Sequence, residues 1–120
     1  HIRSSTSLTM KGGDISGTRV EESSQTKGWG GGLYLMEGAS FTMTGGSIAG
    51  NTAGARGGGV YVGNGTSFIV DGGTIYGNTD DTNKNEAKAT NEPWGHAIID
   101  NRAEETVAYD ENVTKENFPR

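Results

Sequence analysis

Apolar residues recur along this chain in short alternating runs. In LYL (33–35) and VYV (60–62) the aliphatic residues fall on one side and Tyr34 and Tyr61 on the other. In SFTM (40–43) and SFIV (67–70), Phe41, Met43, Phe68 and Val70 share a face, and in SIA and TIY the single large apolar residues are Ile48 and Ile75. A period of two predicts strands, and no stretch carries the 3.6-residue period of an amphipathic helix. Strands this short cannot enclose a core singly, so the way they repeat decides the architecture.

They repeat in register. GGGLYLMEGASFTMTGGSIAGNT (30–52) and GGGVYVGNGTSFIVDGGTIYGNT (57–79) align without a gap at an offset of 27, from Gly30 to Gly57, and are identical at more than half their positions. A third copy opens the chain as HIRSSTSLTMKGGDISG (1–17), in which Leu8, Met10, Gly12, Gly13, Ile15 and Gly17 take the corresponding places. Three short strands per copy close a core only when copies stack, inward residues of one layer resting on those of the next. The pattern therefore predicts an all-β fold, a short parallel β-helix (solenoid) of about four coils with three short strands each, rising about 4.8 Å per coil. Residues 1–120 read as one domain: a truncated first coil over 1–29, coils over 30–56 and 57–93, the second with a long insertion, and a degenerate capping coil over 94–120. Glycine pairs such as Gly45–Gly46 and Gly72–Gly73 mark corners, where positive φ or close backbone approach is needed. Asn51 and Asn78, at matched ends of the third strand, predict a side-chain amide ladder.

At GGGVYV…FIVDGGTIYGNT the chain resembles the right-handed parallel β-helix proteins of the pectate-lyase-like superfamily, and the glycine-rich arrays of bacterial surface proteins in particular. It is distantly similar to the polymorphic outer-membrane protein repeats: GGGL and GGGV stand for their first signature, while F-x-x-N does not occur. The resemblance implies right-handed coiling and an extracellular or bacterial cell-surface setting, and it carries architecture without activity. Polysaccharide lyases on this scaffold resemble one another in clustered acidic metal ligands with an Arg or Lys base. Here the outward columns carry Tyr, Ser and Thr, and Asp71 has Thr44 and Lys11 as column neighbours.

Composition changes this picture little. At 31% hydrophobic with 21 glycines, the chain would suggest low complexity but for its repeats. A net charge of −5 without a basic cluster gives no reason to bind nucleic acid, and no apolar run approaches a membrane span. Having no cysteine, it forms neither disulfides nor thiolate metal sites. His96 lacks a nucleophile-elbow motif and is expected at a glycine-like corner. No catalytic residue, metal or cofactor is expected.

The expected function is structural or adhesive: loops and an aromatic column displayed on a rigid stack to other protein chains or surface glycans, with end-to-end assembly into filaments as a variant. Candidate contacts are Tyr34, Tyr61, Tyr76, Trp29 and Trp94. Candidate assembly residues, at an end that starts inside a strand and is expected to continue in a longer chain, are His1, Ile2, Leu8, Met10 and Ile15. The alternative is a carbohydrate-binding or polysaccharide-cleaving β-helix whose catalytic coils lie elsewhere.

Overall fold

A computed structural model describes residues 7–17, 19–20, 30–79, 82–88, 94–100, 102 and 106–118. The fold is all-β, with no helix among the described residues. The strands are β1 (Ser7–Met10), β2 (Asp14–Ser16), β3 (Arg19–Val20), β4 (Leu33–Leu35), β5 (Ser40–Met43), β6 (Ser47–Ala49), β7 (Thr52–Ala53), β8 (Val60–Val62), β9 (Ser67–Val70), β10 (Thr74–Ile75), β11 (Glu86–Ala87), β12 (Ile98–Asp100) and β13 (Val107–Tyr109). They form four small, separate sheets ordered β1-β5-β9, β2-β6-β10, β3-β7-β11 and β4-β8-β12-β13. Every pairing is parallel except that of β12 with β13.

Among β1, β2, β4, β5, β6, β8, β9 and β10 the registers follow the sequence repeat residue for residue. Phe41 lies opposite Leu8 on one side and Phe68 on the other, and Ile48 lies between Ile15 and Ile75. Because register and alternation agree, most apolar residues of the first, second and fourth sheets fall on one side and form a common core. Leu35, Phe41, Met43, Ile48, Val60, Val62 and Ile75 are fully buried in it. Phe41 and Phe68 stack with ring centroids 5.6 Å apart and planes 14° off parallel.

The third sheet is a departure from the expected three strands per copy. β3, β7 and β11 lie in the segments of unequal length that follow the third strand of each copy, and each is only two residues long. Their in-register pairing, Arg19 with Thr52 and Thr52 with Glu86, shows that a strand-forming position persists there although the lengths around it differ.

The glycine triplets belong to this third sheet as much as to the corner. Gly57 has φ +75°, like its counterparts Gly30 at +72° and Gly95 at +63°, a conformation that glycine adopts without strain. The next residue is restricted by crowding. A Cβ on Gly58 would lie 2.7 Å from the backbone N and C of Glu86, and one on Gly31 would lie 2.8 Å from the carbonyl carbon of Thr52. Three backbones converge at this point, and a side chain cannot fit between them.

Adjacent and both apolar, Ile98 and Ile99 take opposite sides of the fourth sheet. Ile98 stands opposite Val60 in the core, whereas Ile99 stands opposite Tyr61 on the outer side.

Candidate functional site

The predicted amide ladder exists with a different partner. Asn51 is fully buried, and its backbone N–H and side-chain Nδ2 both donate to Oδ1 of Asn85, at 2.9 and 3.0 Å. Nδ2 of Asn51 also donates to the Ile15 carbonyl at 3.0 Å. Asn85, equally buried, donates through Nδ2 to the carbonyls of Ile48 and Tyr76 at 2.8 and 2.7 Å. Asn78 is exposed instead, which corrects the expected Asn51–Asn78 pair. The cause is the longer segment after β10: the chain leaves the stack at Asn78, whose N–H donates to the Asp110 carbonyl at 3.3 Å, and re-enters at Asn85, immediately before β11. Ungapped alignment favours Asn78, but the residue two positions on separates the candidates: Ala53 and Ala87 follow Asn51 and Asn85, whereas Asp80 follows Asn78.

The aromatic column is less available than expected. Tyr34 and Tyr61 lie one above the other with centroids 5.1 Å apart, but Tyr61 is 7% exposed and Tyr34 is half-buried. The third place in the column is taken by Ile99, which is 1% exposed. Tyr61 therefore serves its own sheet and cannot offer a ring face to a ligand. Trp94 is half-buried and stacks on His96, centroids 5.6 Å apart, while Tyr76 is half-buried at the edge of β10. Trp29, His1 and Ile2 lie outside the described residues.

The two ends of the sheets differ sharply. At one end β1, β2, β3 and β4 are the outermost strands, and among the described residues no strand lies beyond them. There the core side chain Leu8 is 41% exposed, whereas Phe41 and Phe68, the next two in its column, are 0% and 3% exposed. Of the other assembly candidates at this end, Met10 is buried and Ile15 is partly buried against the core.

At the other end each sheet stops on a different terminator supplied by residues 94–118. β12 is paired antiparallel by β13, with Ile98 opposite Tyr109. β10 is closed by Val113, whose N–H and C=O exchange hydrogen bonds with Ile75 at 2.8 and 2.9 Å. On β9 the guanidinium of Arg102 donates to the Phe68 carbonyl at 3.0 Å, held by two hydrogen bonds to the buried Asp100 carboxylate at 3.0 and 2.8 Å. Phe118 packs edge-on against Phe68 with a centroid separation of 5.5 Å. On β11 the terminator is an imidazole: Nδ1 of His96 accepts the Ala87 N–H at 3.0 Å.

His96 stands opposite Gly58, at the crowded corner position where glycine was expected to be replaced. Among the described residues no strand pairs beyond β11, and the imidazole fills the place such a strand would take. The imidazole is 8% exposed, and burial pushes its pKa below the ordinary 6.5 against the opposing pull of the Asp110 and Glu86 carboxylates.

An open cleft of about 370 Å³ runs beside β13, lined by residues that include Asp110 and Asn112. Their carboxylate and carboxamide oxygens are engaged within the chain, Asp110 Oδ1 by the His96 N–H and Asn112 Oδ1 by the Gly77 N–H, both at 3.0 Å. Among the described residues no group of three or more His, Asp or Glu side chains is placed to hold a metal ion, and no helix is long and apolar enough to cross a membrane. No family model matches the chain, and neither a curated protein nor a solved structure matches it.

Proposed function

We propose that this chain is a structural segment, a short parallel β-helix whose four sheets are the walls of successive coils and whose open end joins another layer of the same kind. Right-handed coiling is the hand that parallel crossovers take almost without exception, and the sequence resemblance implies the same. The observation that carries the proposal is the exposure of Leu8, 41% at a core position whose neighbours in the next two layers are buried. Apolar surface of this kind, bordered by strand edges, is a ready template for further β-pairing. The resemblance to bacterial surface arrays supports an extracellular setting.

The closed end limits how assembly proceeds. A head-to-tail stack would need both ends open, and four terminators stand on one of them. Two copies joined through their open ends form a two-fold pair that stops growing. A dimer is therefore favoured over the filament that the repeats suggest on their own. Glycan binding through the tyrosine column loses support from the burial of Tyr61.

Light scattering across a wide range of protein concentration tests the reading. The chain should pass from monomer to dimer as concentration rises, and Leu8→Glu should remain monomeric while keeping the far-UV circular dichroism of the parent. A parent chain that stays monomeric throughout would overturn the proposal, as would association unaffected by Leu8→Glu.

A further inference from the structure

The terminator on β11 differs from the other three in that its hydrogen-bonding atom can take up a proton. In a parallel sheet the outward N–H of an edge strand is normally met by a carbonyl of the next strand. For Ala87 that acceptor is the Nδ1 lone pair of His96. An accepting Nδ1 requires the neutral imidazole with its proton on Nε2, because both ring nitrogens of an imidazolium are donors. Protonation would set an Nδ1–H against the Ala87 N–H, so the contact cannot survive it.

We propose that His96 is an acid-released latch on the closed end: neutral, it takes the place of a further strand beside β11, and protonated at Nδ1 it lets go of Ala87 and bares that edge. The backbone of His96 is held independently, its N–H donating to Asp110 Oδ1 at 3.0 Å and its carbonyl accepting from the Gly59 N–H at 2.9 Å. The ring can therefore leave while β12 stays in its sheet. The charged groups acting on the imidazole are Asp110, from the segment after β13, Glu86 on β11 and Lys84 just before β11; the ring of Trp94 lies over it. The two carboxylates favour the imidazolium, whereas Lys84 and burial oppose it, and burial is the largest of these effects.

The sign follows from linkage. The open form binds the proton near the ordinary pKa of 6.5 and the latched form only at lower pH. Latching is therefore complete above the ordinary value, weakens as pH falls through it, and reaches its floor below the depressed pKa. This device does not depend on the dimer reading, since it concerns the other end of the molecule.

The test is NMR of the whole chain across pH. The His96 ring should show the Nε2–H tautomer at neutral pH, and the Ala87 amide should lose protection from hydrogen exchange by about tenfold or more as that ring protonates. The Ile75 amide, held by Val113, should keep its protection over the same range. His96→Asn places a carboxamide oxygen near the Nδ1 position without a titrating group and should make Ala87 protection independent of pH. Three results would overturn the latch: an Nδ1–H tautomer at neutral pH, a His96 titration that leaves Ala87 protected, or Ala87 and Ile75 losing protection together. All three are read on the unsubstituted chain, so they decide the matter even where His96→Asn does not fold.

Discussion

Asn85 shows how much one polar side chain can carry in a stack of this kind. Its carboxamide accepts from the backbone and side chain of Asn51 and donates to two carbonyls, those of Ile48 and Tyr76. Asn85→Ala would take a hydrogen bond from four polar groups, of which Asn51 Nδ2 keeps the Ile15 carbonyl and the Ile48 carbonyl keeps the Tyr76 N–H; the losses at the Asn51 N–H and the Tyr76 carbonyl cost about 1–3 kcal/mol each where water cannot replace the bond. Equilibrium denaturation should therefore show Asn85→Ala destabilised by about 2 kcal/mol or more, with Asn78→Ala within about 0.5 kcal/mol of the parent, as expected for an exposed site. Equal effects at the two positions would contradict the ladder. In sequence the two asparagines are indistinguishable in type, and Asn78 has the better alignment with Asn51. What distinguishes them is the path of the chain between, which the sequence marks only by the alanine two residues after Asn51 and Asn85.

At the scale of elements, register was legible wherever side chains alternate over three or more residues. Phe41 over Phe68 and Ile48 over Ile75 could be read directly, because identical residues recur at a constant offset. β3, β7 and β11 could not: two residues are too few to alternate, and Thr-Ala and Glu-Ala carry little apolar signal. The pair Ile98–Ile99 was silent for the opposite reason, since both residues are apolar and either could face inward. The glycine triplets hinted at the hidden sheet, for a corner alone explains Gly57 and not Gly58. Gly58→Ala should cost about 1–3 kcal/mol by overpacking against the backbone of Glu86. Gly12→Ala should be nearly neutral, because nothing lies within 4 Å of a Cβ built there and its φ is not positive. Thermal or chemical denaturation of the two variants side by side checks the contrast, and a tolerated Gly58→Ala would remove the account of the triplet.

The whole molecule is asymmetric from end to end, and that asymmetry was only partly visible in the sequence. The charged, irregular character of residues 94–120 pointed to a cap. The means of capping did not appear there, because Arg102 on Phe68 and Val113 on Ile75 act on strands distant in sequence, and His96 reaches back to Ala87 across nine residues through its ring alone. The open end rests on an equally nonlocal fact, the exposure of Leu8 above buried Phe41. Amide hydrogen exchange on the dilute monomer measures both ends in one experiment. Alternation along β1 turns the Thr9 N–H away from β5, as the Thr44 N–H reaching the Met10 carbonyl requires. Exchange should be rapid at Thr9 and slow at Ile75 and Ala87 at neutral pH, with Thr9 becoming protected as concentration rises and open ends meet. Slow exchange at Thr9 in the monomer, or rapid exchange at Ile75 and Ala87, would contradict this asymmetry of the ends.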